Sequence, residues 1–189
     1  MKSNTNILAS RPAGPKVVKE AQCQSTCQNG TEIAHSKYVV LLQNAYSWLY
    51  AGGIWPRDSW LKALHKCRSG QRLSIITKLV EPHGIELWFD NTTPMVGDEP
   101  NSFIPPDPKH IASVIESVKP VGILACGASA LKAIKPLYSG PILAVPHPAN
   151  RTLRNAVYVK AGQMLINGLD KSTQLGWDKS TDKLTITRL

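Results

Sequence analysis

Four short apolar runs, each closed at once by polar, glycine or proline residues, limit what this chain can fold into more than any other feature. They are Tyr38-Val39-Val40-Leu41-Leu42, Ile85-Glu86-Leu87-Trp88-Phe89, Val121-Gly122-Ile123-Leu124-Ala125-Cys126 and Pro141-Ile142-Leu143-Ala144-Val145. Runs of this length, aliphatic and β-branched, read as buried strands. Between them the apolar spacing changes to that of helices. Ile111, Val114, Ile115 and Val118 fall at i, i+3, i+4 and i+7, an amphipathic stripe. Asp58 is placed to cap a helix through Trp60, Leu61 and Leu64, and Ser129 to Ile134 reads as a short helix that Pro136 stops. Asn150 is placed to cap a last helix carrying Leu153, Val157, Val159 and Leu165. Strands alternating with helices imply an α/β fold of three layers, αβα, around a central four-stranded, mostly parallel sheet.

The 189 residues suit one domain. Residues 1–36 are rich in Ser, Gln, Asn, Gly and Pro without periodicity, and are expected to form a polar, mobile N-terminal segment. The organised body is expected over 37–168, with 169–189 as a C-terminal tail. In that tail Asp-Lys-Ser-Thr occurs at Asp170 and again at Asp178, too short to be a structural repeat. Lys183 to Thr187 reads as an edge strand.

Charge narrows the partner. A net charge of +9 favours an anionic partner, with nucleic acid the commonest, against the plainer reading of a merely basic soluble protein. The cationic residues are spread along the chain, so a folded surface and not a tail is expected to bind. No apolar run approaches the roughly 20 residues that cross a bilayer, and Met1 to Lys16 lack the apolar stretch of a secretory signal. A cytoplasmic monomer without a membrane partner is expected. Of the four cysteines, Cys23 and Cys27 form a C-x3-C pair, while Cys67 and Cys126 stand alone. Metal and cluster sites show two close pairs or a dense run, so neither metal nor cofactor is expected. Cys126 ends an apolar run, where a small thiol packs well.

In parallel α/β sheets ligands bind beyond the carboxyl ends of the strands. The residues following the four runs are Gln43-Asn44-Ala45-Tyr46-Ser47, Asp90-Asn91-Thr92-Thr93-Pro94, Gly127, and Pro146-His147-Pro148-Ala149-Asn150.

These residues resemble the motifs of the uracil-DNA glycosylase superfamily. Gln43-Asn44-Ala45-Tyr46 is similar to its motif A, Gly-Gln-Asp-Pro-Tyr-His in one branch and Gly-x-Asn-Pro-Gly in others. Gly52-Gly53-Ile54-Trp55 resembles the Gly-x-x-Phe that supplies an aromatic platform, and Asn91 resembles the base-reading asparagine. Leu124 to Ala130 is similar to the family's strand, glycine and short helix, and Pro146-His147-Pro148 resembles motif B, His-Pro-Ser. The likeness runs from about Tyr38 to Leu165, and it rests on the order and spacing of the motifs together. It implies the glycosylase architecture, with Asn44 and His147 catalytic and Gln43, Tyr46, Trp55 and Asn91 around the base. Arg151 and Leu153 lie where the family places its DNA-inserting loop.

The chemistry of the residues agrees with that likeness. Breaking an N-glycosidic bond builds positive charge on the sugar and negative charge on the departing base, and an enzyme gains most by stabilising both. His147, between two prolines, is placed to donate a hydrogen bond to a pyrimidine carbonyl. Asn44 cannot take a proton, but its carbonyl is able to orient water against the sugar carbon. A base in duplex DNA must first be flipped out; Trp55 would stack on it and Asn91 would read its edge. Against this stand a strand-end asparagine that bonds its own turn, a histidine bonded to backbone, and a core tryptophan.

The chain departs from the family at Leu42 for the motif A glycine, Ala45 for its proline, Ser47 for its histidine or glycine, and Ala149 for the motif B serine. Ala45 and Ser47 imply a roomier pocket, whereas Tyr46 implies a screen against groups at pyrimidine C5. The expected activity is a monofunctional DNA glycosylase acting on a non-canonical pyrimidine, either a modified cytosine such as occurs in phage DNA or uracil, in repair or antiviral defence. The alternative is a catalytically inactive DNA-binding module with the same fold. A nucleotide-binding α/β protein is disfavoured, because Gly127-Ala-Ser-Ala lacks a glycine-rich phosphate loop.

Overall fold

Each of the four apolar runs forms a strand: β1 (Lys37–Leu42), and, after the two-residue β2 (Ala45–Tyr46), β3 (Glu86–Asn91); then, after β4 (Val96–Gly97), β5 (Gly122–Cys126) and β6 (Ile142–Val145). The computed structural model describes residues 36–46, 67–97 and 103–189. The helix expected after Asp58, Ser47, Trp55 and the Cys23/Cys27 pair lie outside the described residues.

The sheet is larger than the expected four strands. β7 (Thr173–Asp178) and β8 (Lys183–Arg188) extend it to six, in the order β3-β1-β5-β6-β7-β8. All neighbours are parallel except β7 and β8, which pair antiparallel. Residues 169–189, expected as a tail, therefore continue the same sheet, with β8 as its edge. Their strand character is faint in sequence because Thr173-Gln174-Leu175-Gly176-Trp177-Asp178 commits little to the core beyond Leu175 and Thr173. β2 and β4 form a separate parallel pair.

Helices cover both faces, as the buried runs demand. The first face carries Val40, Leu42, Leu87, Phe89, Leu124, Cys126, Leu143 and Val145, packed under α1 (Arg68–Val80) and a later helix, Ala156–Asn167. The other carries Val39, Leu41, Ile123, Ala125 and Ile142, under α2 (Pro108–Val118) and α3 (Ala128–Ile134); the helix Ala156–Asn167 is α4. The Ile111, Val114 and Val118 stripe is buried as its period requires, each side chain stabilising by about 1.5–3 kcal/mol. Asp107 caps α2 by accepting the Lys109 and His110 N–H groups, with Pro108 in its first turn.

Chain path and face together fix the hand of each crossover. β1 to β3 moves one way across the sheet through α1; β3 to β5 and β5 to β6 move the other way through α2 and α3 on the opposite face. Those three share one hand. β6 to β7 moves in the second direction but through α4 on the α1 face, so it has the opposite hand, against a strong general preference. As a result α4 and the loop before it lie against α1. The contact is close, since a Cβ on Gly162 of α4 would stand 2.9 Å from Leu79 Cδ1 of α1.

Candidate active site

A parallel sheet in which the chain leaves β1 toward β3 and returns past it to β5 has a switch point at the carboxyl ends of β1 and β5, where ligands bind. Asn44 follows β1, Asn91 is the last residue of β3, Gly127 follows β5, and His147 follows β6. Asn91 stands two residues past Phe89 and so shares its face of the sheet. Asn44 and His147 stand two residues beyond Leu42 and Val145, which are buried on that same face. With strands about 4.8 Å apart, β1 and β6 are separated by roughly 10 Å, and β3 and β6 by roughly 14 Å. Among the described residues that follow the strands, Gly127, with no side chain, stands between Asn44 and His147 in strand order. This stretch of the sheet edge, the slot, has an amide residue after β1 and a histidine after β6.

His147 is tightly specified. Its Nδ1 accepts the Ala149 N–H at 3.2 Å, so the neutral ring carries its proton on Nε2 and presents a donor. Burial lowers the His147 pKa from its ordinary value, which keeps the ring neutral at physiological pH. Gly127 makes room for it: a Cβ there would lie 3.1 Å from His147 Cβ and 3.4 Å from Cδ2.

The loop carrying His147 is held from two helices. Arg72 of α1 donates from Nη1 to the Pro148 carbonyl at 2.8 Å and to that of Asn150, and from Nη2 to the Leu153 carbonyl at 3.0 Å. Its guanidinium also sits 5.8 Å from the centre of the Tyr158 ring. Tyr158 of α4 donates to the Pro146 carbonyl at 3.1 Å; burial pushes its phenol pKa up, so it remains a donor. Within the loop the Asn150 N–H reaches the His147 carbonyl at 2.9 Å.

On the other wall, the Gln43 amide donates to Asn44 Oδ1 at 3.1 Å. The Thr92 hydroxyl donates to the Gln43 carbonyl, and the Thr92 N–H reaches the Leu42 and Gln43 carbonyls at 2.7 and 3.1 Å. The exits of β1 and β3 are thus stitched together. Asp90 points to the opposite face, as pleat alternation predicts, and there meets His110 of α2, with Nε2 3.1 Å from Oδ1. Burial pulls the His110 pKa down, but the bond to Asp90, the charges of Asp90 and Asp107 and a bond to the Asn91 backbone outweigh it, and the net shift is upward.

Comparison with protein-family models, with curated proteins and with solved structures finds no match.

The remaining expected residues fall as follows. Tyr46 is in β2, in register with Gly97, and Trp55 is outside the described residues. Arg151 is exposed on the loop after His147, and Leu153 is half-buried there. The expected last helix starts later than expected. Asn150 does not cap it: its Oδ1 accepts from the Thr152 N–H and hydroxyl, forming a turn. α4 begins at Ala156, so Leu153 belongs to the loop. Among the described residues no group of three or more His, Cys, Asp or Glu is placed to hold a metal ion, and none forms a helix long and apolar enough to cross a membrane. Cys126 is fully buried, and burial pushes its thiol pKa up. Three residues of the site had no sequence signal that singled them out: Arg72, Tyr158 and His110. Asp107-Pro108 was the one available hint for His110, since it marks the helix start that carries it.

Proposed function

We propose that this chain is a DNA glycosylase that hydrolyses the N-glycosidic bond of a flipped, non-canonical pyrimidine, a modified cytosine or uracil, in the manner of the uracil-DNA glycosylase superfamily it resembles. The observation that carries the reading is His147: a half-buried imidazole at the end of β6, held neutral by its lowered pKa, whose Nδ1 accepts the Ala149 N–H and whose donor is therefore Nε2–H. In the reaction a water oxygen bonds to the sugar C1′, the C1′–N bond breaks, and its electron pair passes to the base. Nε2–H donates to a ring carbonyl as that charge grows. In this reading Asn44 orients the water through Oδ1, the atom that also accepts from the Gln43 amide. The water's proton ends on solvent or on the released base, and the products are free base and an abasic site.

Further support comes from placement. β3, β1, β5 and β6, the four strands expected from the sequence, carry Asn91, Asn44, Gly127 and His147 at one end. Arg151 is exposed on the His147 loop, and the chain's +9 charge suits DNA.

The inactive DNA-binding module is favoured by one observation, the Gln43 bond on Asn44 Oδ1, which competes with water for that oxygen. Assaying release of uracil and of substituted cytosines from defined duplexes separates the two. The proposal expects free base from at least one duplex, and salt-dependent DNA binding with no release from any of them favours the module.

A further inference from the structure

We infer that Asp90 and His110 are positioning residues that act through Asn91, with Asp90 holding its backbone N–H and His110 holding Asp90, and so fixing the amide that reads the flipped base. This rests on the glycosylase reading. The Asn91 N–H donates to Asp90 Oδ1 at 2.7 Å, the same oxygen that His110 Nε2 meets at 3.1 Å. The next N–H, of Thr92, goes to the Leu42 and Gln43 carbonyls, and the Thr92 carbonyl accepts the Asp107 N–H at 2.8 Å. Asp107 in turn caps α2 and fixes the His110 N–H at 3.3 Å. The strand end, the helix start and the His110–Asp90 pair form one closed set of hydrogen bonds.

Stability alone does not call for this arrangement. The two side chains are 6% and 14% exposed, on the face whose core is otherwise built from Leu41, Ile111, Val114 and their neighbours. A buried ion pair is usually no better a stabiliser than apolar residues of the same volume, and its best-attested use is to specify one geometry. Here that geometry belongs to Asn91, whose side chain leaves on the opposite face, toward the slot. Asp90 and His110 do not face the slot, so they act on the reaction through the Asn91 backbone.

The test uses the full chain and a double-mutant cycle. His110→Gln and Asp90→Asn are made alone and combined with Asn91→Ala, and single-turnover base release is measured beside binding to a duplex holding an abasic-site analogue. Since that duplex offers no base to read, its affinity is expected to stay within about twofold. Release by His110→Gln is expected to fall about tenfold when Asn91 is present and by less than about twofold on the Asn91→Ala background. In the same variants hydrogen exchange of the Asn91 amide is expected to quicken about tenfold while that of Val40 is unchanged. Equal losses on both backgrounds overturn the inference, as does unchanged Asn91 exchange. Should His110→Gln fail to fold, the near-isosteric Asp90→Asn carries the same comparison. If wild type releases no base from any duplex, the glycosylase reading fails, and the exchange measurement by itself upholds or overturns the grip on Asn91.

Discussion

Gly127→Ala probes the geometry of the slot most sharply, because two separate features of the structure forbid a side chain there. Gly127 has φ +98° and ψ 164°, a region essentially closed to other residues, at a cost of about 1–3 kcal/mol. At roughly 3 °C per kcal/mol for a chain of this size, thermal unfolding should shift down by about 3–9 °C. The new methyl would also stand 3.1 Å from His147 Cβ, tighter than ordinary contact, so the ring must yield by some tenths of an ångström. A misplacement of about 1 Å costs on the order of 100-fold in rate, and a loss on the order of tenfold is expected here. The assay pairs single-turnover base release with calorimetry and with affinity for an abasic duplex, which should not change. A variant that keeps both the wild-type midpoint and the wild-type rate would refute the account of how Gly127 and His147 fit together.

Three further outcomes are expected. Burial depresses the His147 pKa below 6.5, so its neutral form, and the stability that goes with it, is complete above 6.5 and lost as pH falls through the folded-state value. The rate should therefore be level from that pH upward as far as this group is concerned, with an acid limb centred below it; an acid limb centred above 6.5 would contradict the assignment. Arg72→Lys keeps the charge but not the fork that spans the Pro148, Asn150 and Leu153 carbonyls. It should cost about 1.5–3 kcal/mol in urea unfolding and lower the rate, without changing the salt dependence of DNA binding; wild-type stability would argue against the clamp. Leu175→Ala removes a fully buried side chain of β7 and should cost about 2–5 kcal/mol by the same measurement, whereas a cost near zero would mean that residues 169–189 are not part of the core.

What could be read in the sequence, and what could not, follows from the range of the interactions. The four central strands are legible because strands buried on both faces need uninterrupted apolar runs. α2 is legible because Ile111, Val114 and Val118 repeat at the helical period. Asn44, Asn91 and His147 stand out because a parallel sheet places its ligands just past its strands. β7 stayed hidden because Leu175 is nearly alone in carrying it into the core. The second Asp-Lys-Ser-Thr is the turn of the β7–β8 hairpin, with the Asp178 carboxylate accepting from Ser180 and Thr181; it marks a turn, not a repeat. Arg72 had no local signal at all, since its acceptors lie 76 to 81 residues away. His110 sits beside the apolar stripe and is buried only because Asp90 awaits it on another element. The start of α4 was misplaced because Asn150 is as good a turn former as a cap.

The most direct measurement of the central claim is single-turnover base release by His147→Ala, on whichever duplex the wild-type chain cleaves, beside its affinity for the same DNA. The donor at Nε2 is proposed to act on charge that develops only as the bond breaks. The account therefore predicts a rate loss on the order of 10²–10³-fold with affinity essentially unchanged. A variant that releases base at the wild-type rate would contradict it.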